Sequence, residues 1–203
     1  MIGIIDYGVG NLFSLHSSFR AIGEDILVSN RWEELEKADK LVLPGVGAFE
    51  DAACKLRASG LDRLLYQQVD KGVPLLGICL GMQLLFEKSY EYGVHKGLGL
   101  LKGEVVPMNG KIPLELKVPH MGWNQLTKTN PGSKLLRNIK DEAYVYFVHS
   151  YFASGCLDSL AAVTNYGIEM TAAVEKDNVF GCQFHPEKSG AVGLSILESF
   201  CKL

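Results

Sequence analysis

Pro74-Leu75-Leu76-Gly77-Ile78-Cys79-Leu80-Gly81-Met82-Gln83 is the stretch on which the reading of this chain turns. An apolar run ends on a thiol, and a glycine stands two positions away on either side. Short apolar runs bounded by glycine read as buried strands of a parallel sheet. A strand that turns sharply into a helix at G-x-C-x-G is the thiol form of a nucleophile elbow. The turn lifts the side chain above the sheet edge, and glycine lets the flanking backbone pass close by. The helix start offers N–H groups without partners and a positive dipole end, which favour thiolate over thiol. The Leu80 N–H can donate to an oxyanion formed when Cys79 attacks a carbonyl. Taken alone, Cys79 also reads as a small buried core residue, since free cysteine is among the most buried types.

Outward from this stretch, the first half alternates strands and helices. Strands are expected at residues 2–6, 25–29, 40–43 and 74–78. Helices are expected over 12–22, 32–38, 49–58 and 61–71, and from Leu80 towards Phe86. Repeated strand–helix–strand order gives an open, mostly parallel sheet flanked by helices, an α/β fold with ligands beyond the carboxyl ends of its strands. The loops at 7–11, 45–48 and 79–81 therefore belong together. The second half is β-rich, at 103–107, 115–118, 144–151, 160–164, 170–175 and 179–184. It reads as additional antiparallel strands that extend the sheet or form a small second layer, closed by a helix at 191–201. The 203 residues are expected to form one domain, 1–203.

A cysteine nucleophile needs a base and a group to orient it. Gly181-Cys182-Gln183-Phe184-His185-Pro186-Glu187 supplies both. His185 follows the tip of an apolar strand, Pro186 ends the strand, and Glu187 can reach back to the imidazole. A solvated surface turn is the alternative for this segment by itself. His149, closing Tyr146-Phe147-Val148-His149, is a second candidate base or a packed core histidine. His120 falls in an expected loop, and His16 and His95 read as surface residues.

Bulk properties exclude other classes. Twenty basic and 23 acidic residues give a net charge of −3, with no pointer to nucleic acid or a membrane surface. No run approaches the roughly 18 apolar residues of a membrane span, and the start shows no signal-peptide pattern. Five widely spaced cysteines suit reduced thiols in the cytoplasm. No C-x-x-C pair occurs, which speaks against a structural zinc site; neither a metal nor a cofactor is expected.

The elbow, together with Phe184-His185-Pro186-Glu187, resembles the class I, triad-type glutamine amidotransferases. Ile5-Asp6-Tyr7-Gly8-Val9-Gly10-Asn11, Leu43-Pro44-Gly45-Val46-Gly47-Ala48-Phe49 and Val118-Pro119-His120-Met121-Gly122-Trp123-Asn124 resemble one branch. That branch comprises the glutaminase subunits of imidazole glycerol phosphate synthase in histidine biosynthesis. The resemblance runs from residue 2 to about 200. It implies that Cys79 attacks the side-chain amide of L-glutamine, with His185 as base and Glu187 as its orienter. It implies an oxyanion hole from Leu80 and the Val46–Gly47 loop. Gln83, Glu91, His149, Ser150 and Tyr151 would then bind the ends of glutamine. It further implies a heterodimer with a (β/α)-barrel cyclase that receives the ammonia and makes imidazole glycerol phosphate and an aminoimidazole carboxamide ribonucleotide. Asn11, His120, Met121 and Trp123 would face that partner. Two alternatives keep the same residues: a paralogous glutaminase serving surface-sugar amidination, and a catalytically silent regulatory subunit.

Overall fold

The apolar runs of the first half do become short strands, and the side chains along them alternate between two cores. The computed structural model describes residues 1–203. Its strands are β1 (Ile2–Ile5), β2 (Ile26–Ser29), β3 (Lys40–Leu43), β4 (Leu75–Ile78), β5 (Lys88–Ser89), β6 (His95–Lys96) and β7 (Glu104–Pro107). They continue with β8 (His120–Gln125), β9 (Thr127–Lys128), β10 (Tyr144–His149), β11 (Tyr151–Ser154), β12 (Leu160–Asn165), β13 (Glu169–Lys176) and β14 (Val179–Cys182). The helices are α1 (Leu12–Ala21), α2 (Trp32–Leu35), α3 (Phe49–Ala58), α4 (Leu61–Asp70), α5 (Leu80–Leu84) and α6 (Gly190–Cys201).

The central sheet has eight strands in the order β2-β1-β3-β4-β14-β13-β12-β9. The pairs from β2 through β14 are parallel. The pairs from β14 to β9 are antiparallel. Leu41, Leu43 and Leu75 point into a core shared with α3, α4 and α5. Val42, Leu76 and Ile78 point into the opposite core, with Phe19 of α1 and Phe200 of α6. That period-two division is what a sheet covered on both faces requires. No helix is long and apolar enough to cross a membrane.

Three expectations are corrected. Residues 115–118 form no strand. Pro113 accepts from the Leu116 N–H in a turn, and Leu116 and Val118 instead pack on a small cluster around Met108 and Phe152. The 120–125 segment, expected as a loop, is strand β8, paired antiparallel with β10 in a separate two-stranded sheet. The expected strand at 144–151 is two strands. The chain leaves β8 after His149 and pairs with β7 from Tyr151 onward. The break at Ser150 turns the backbone of 148–151 towards the cavity described next.

Candidate active site

Parallel pairing of β4 and β14 brings the two motifs together. Ile78 and Cys182 are in register, and the Cys79 N–H donates to the Cys182 carbonyl at 2.8 Å. Cys79 and Gln183 therefore leave the sheet side by side. Cys79 has φ 54° and ψ −110°, a left-handed conformation that a non-glycine residue adopts at a cost of about 1–3 kcal/mol. The glycines serve the backbone around it. A Cβ on Gly77 would lie 2.7 Å from Gly81 O and from Met82 Cα, and one on Gly81 would run into the Leu43 carbonyl. The elbow is thus a close crossing of α5 over β4 and over the end of β3.

His185 is held on several sides. Its Nδ1 lies 2.8 Å from Glu187 Oε1, and both side chains are buried. Its backbone N–H donates to Tyr146 O at 2.9 Å, and its carbonyl accepts from the Ser189 hydroxyl at 2.6 Å. The same hydroxyl accepts from the Tyr146 N–H at 3.0 Å. Burial alone would lower the imidazole pKa. Hydrogen bonds to Cys79 and to Glu187, and the negative charge each can carry, outweigh it and hold the ring at about 10. The carboxylate against Nδ1 stabilises the imidazolium and fixes the ring orientation.

Beyond the elbow lies a cavity of about 300 Å³. Cys79, Leu80 and His185 line it together with Val46 and Gly47. Gln83, Glu91, His149, Ser150 and Tyr151 line the remainder, with Pro119 and Val148 added to the expected set. Glu187 lies behind His185 and does not line it. Leu80 is the first residue of α5, so its N–H has no acceptor within the helix. The loop at 45–48 is braced twice. The buried Tyr7 hydroxyl donates to Pro44 O at 2.7 Å, and Glu91 Oε2 accepts from the Phe49 N–H at 2.6 Å. Glu91 thereby caps α3, whose own N-cap residue Ala48 has no side-chain acceptor. Burial, then the neighbouring Cys79, holds the Tyr7 phenol well above its usual range.

The position of His149 does not suit a base. Its Nδ1 lies 2.9 Å from Tyr151 O and its Nε2 lies 3.0 Å from His120 Nδ1. Burial depresses its pKa to about 3, and that of His120 to about 4. His120 itself is corrected as an outward-facing residue. It is buried, stacked between Phe147 and Tyr166. Its neighbours on β8 do face outward, Met121 at 62% and Trp123 at 55% exposure. Asn11 is half-buried and its side chain caps α1 through the Ser14 N–H. His95 is also partly covered, 3.5 Å from Glu50.

Two further residues of the site escaped the sequence reading. Gln183 is completely buried beside Cys79. Ser189 ties the turn after His185 to β10. Gln183 had a signal: Cys182 and Phe184 carry the apolar face of the strand, so Gln183 shares the other face with His185. No cluster of three His, Cys, Asp or Glu side chains able to hold a metal ion occurs.

Fold and site define the class of protein. The family model for "Glutamine amidotransferase class-I" matches residues 3–202. Solved structures share the fold. One described as "Crystal structure of glutamine amidotransferase" superposes with TM-score 0.76 at 18% identity, covering 98% of both chains. PurLQS from Thermotoga maritima gives TM-score 0.75 at 19% identity, covering 99% of this chain and 97% of that one. Among curated relatives, the imidazole glycerol phosphate synthase subunit HisH of Bacillus velezensis is 52% identical over 208 residues, covering 100% of this chain and 96% of its own. HisH of Methanothermobacter thermautotrophicus is 52% identical over 204 residues, covering 100% and 98%. The chain belongs to the class-I glutamine amidotransferases, and within them to the HisH family.

Proposed function

We propose that the chain, as one unit spanning residues 1–203, is a glutaminase subunit that hydrolyses L-glutamine and passes ammonia to a cyclase in histidine biosynthesis. The observation that carries this reading is the arrangement of three side chains: Cys79 and His185 line one cavity, and His185 Nδ1 lies 2.8 Å from the buried Glu187 carboxylate behind it. Cys79 thiolate attacks the side-chain amide carbon of glutamine. The imidazolium of His185 gives its proton to the departing ammonia. Neutral His185 then takes a proton from water, which cleaves the thioester and releases glutamate. The oxyanion formed in each half-reaction accepts from the Leu80 N–H and from the Val46–Gly47 loop, where Gly47 (φ 96°) gives the backbone its freedom. Gln83, Glu91 and the backbone of 149–151 hold the amino-acid end.

Ammonia released to water at neutral pH is mostly protonated and no longer nucleophilic. A partner docked over the site keeps it usable. Met121 and Trp123 present two large apolar side chains on β8, one strand away from the cavity wall at Val148 and His149. Such a patch suits a (β/α)-barrel cyclase surface in a heterodimer. The free cysteines suit a reducing, cytoplasmic setting. The test is glutamate formation by the chain alone, with the barrel cyclase, and with the cyclase plus its nucleotide ligand. A rate that rises across the three supports the coupling; equal rates in all three contradict it.

A further inference from the structure

Gln183 is a buried amide that none of the steps above employs. It is 0% exposed and follows β14 directly opposite the elbow. Its Nε2 lies 3.7 Å from Cys79 Sγ, within hydrogen-bond range for sulfur. Its Oε1 accepts from Gln83 Nε2 at 2.9 Å. Gln83 Nε2 also donates to Tyr151 O at 3.0 Å. Both protons of the Gln83 amide are thereby committed, which turns its carbonyl oxygen towards the cavity that Gln83 lines.

We propose that Gln183 donates a hydrogen bond to the Cys79 thiolate and, through its other end, orients Gln83 as an acceptor for the ammonium group of the bound amino acid. The assignment rests on Cys79 being the nucleophile. The chemistry favours it over a merely structural amide. A primary amide buried beside an apolar core needs partners for both ends, and here those partners are the reacting atom and a wall of the cavity. Neutral Cys79 has another acceptor for its own proton, Val148 O at 3.9 Å. The Gln183 donor therefore gains most when the sulfur is ionised, since donors to charged groups bind about twice as strongly. Gln183 acts on sulfur as a fixed dipole, independently of the protonation of His185.

The readout is alkylation of Cys79 by iodoacetamide across pH, followed by site-resolved mass spectrometry in the full chain, with exposed Cys54 as internal control. Gln183→Met keeps the volume and removes the donor. Alkylation of Cys79 at neutral pH should slow by roughly 10- to 100-fold, with the pH curve displaced upward and Cys54 unchanged. Gln183→Glu keeps an acceptor for Gln83 and sets a carboxylate against the sulfur, so it should slow alkylation more. In the wild-type protein, the ¹⁵N side-chain amide signals of Gln183 should move with the ionisation of Cys79, a measurement that needs no variant to fold. The second role predicts that Gln183→Met also raises KM for glutamine. A wild-type pH curve for Cys79 in either folded variant, or Gln183 amide signals that ignore Cys79, would overturn the proposal. Neither result touches the glutaminase reading, which fails only if hydrolysis survives loss of the thiol.

Discussion

At the scale of single residues, histidines of one chain are pushed in opposite directions by their surroundings. His185 is held at about 10 by Cys79 and Glu187 against the pull of burial. His149 is lowered by burial to about 3 and His120 to about 4. Unfolded histidine titrates near 6.5. The stability contributed by charged His185 is therefore complete below about pH 6.5 and lost as pH rises from there through about 10. The other two bind fewer protons folded than unfolded, so stability falls as pH drops from about 6.5 towards 4 and below. Thermal melts across pH should show both limbs. His185→Gln should flatten the alkaline limb and His149→Gln the acid one; unchanged limbs would refute the assignments. Activity should separate the same two residues. His185→Ala should reduce glutamine hydrolysis by about 100-fold or more, while His149→Ala keeps more activity. At this scale the sequence was legible where chemistry is local. Gly77-Ile78-Cys79-Leu80-Gly81 and His185-Pro186-Glu187 can be read without coordinates. The face on which Gln183 lies could be read from the alternation around it, but its contact with Cys79 and the pairing of His120 with His149 could not, because each depends on which strands become neighbours.

At the scale of elements, the elbow is a packing problem solved with glycine. The helix after Cys79 must cross β4 and the end of β3 at backbone contact distance, and a Cβ on Gly81 would strike the Leu43 carbonyl. Gly81→Ala should therefore destabilise the fold by about 1–3 kcal/mol, each of which lowers Tm by about 2–4 °C in a chain of this length. It should also displace Leu80 and lower hydrolysis. A variant with unchanged Tm and full activity would show that the crossing has slack. Glu91 couples another pair of elements. Glu91→Gln weakens the charged cap on α3, and is expected to loosen the 45–48 loop, raising KM and lowering kcat together; an effect on KM alone would confine Glu91 to substrate binding. The early strands and helices were legible because parallel βα units have strong period and punctuation. Strand β8 was not: Met121-Gly122-Trp123-Asn124 faces solvent on alternate positions, with glycine between its two large side chains. In such an edge strand the apolar positions alternate towards solvent and mark no core face. The two-strand break at Ser150 was hidden for the converse reason, since both strands are apolar and only the change of sheet divides them.

At the scale of the whole molecule, β4 and β14 are neighbouring parallel strands, and β14 is also the strand at which the antiparallel part of the sheet begins; Cys79 follows the first and His185 the second. The junction between β4 and β14 is where they meet. Nearby, β10 carries Val148 and His149 of the cavity lining and pairs with β8, which bears the exposed Trp123. Trp123→Ala should weaken cyclase binding by roughly 10-fold or more, with little change in Tm because the indole is more than half exposed. A matching loss of Tm would make it a packing residue instead. The general architecture followed from the order of elements, and the resemblance already set Met121 and Trp123 outward, whereas the burial of His120 beside them needed the structure. The central claim is that Cys79 carries the chemistry. It is tested most directly by the rate of glutamate formation from glutamine, with the cyclase and its nucleotide ligand present, for wild type and Cys79→Ala. The expected result is a loss of at least about a thousandfold in the variant with cyclase binding intact; hydrolysis at the wild-type rate would contradict the account.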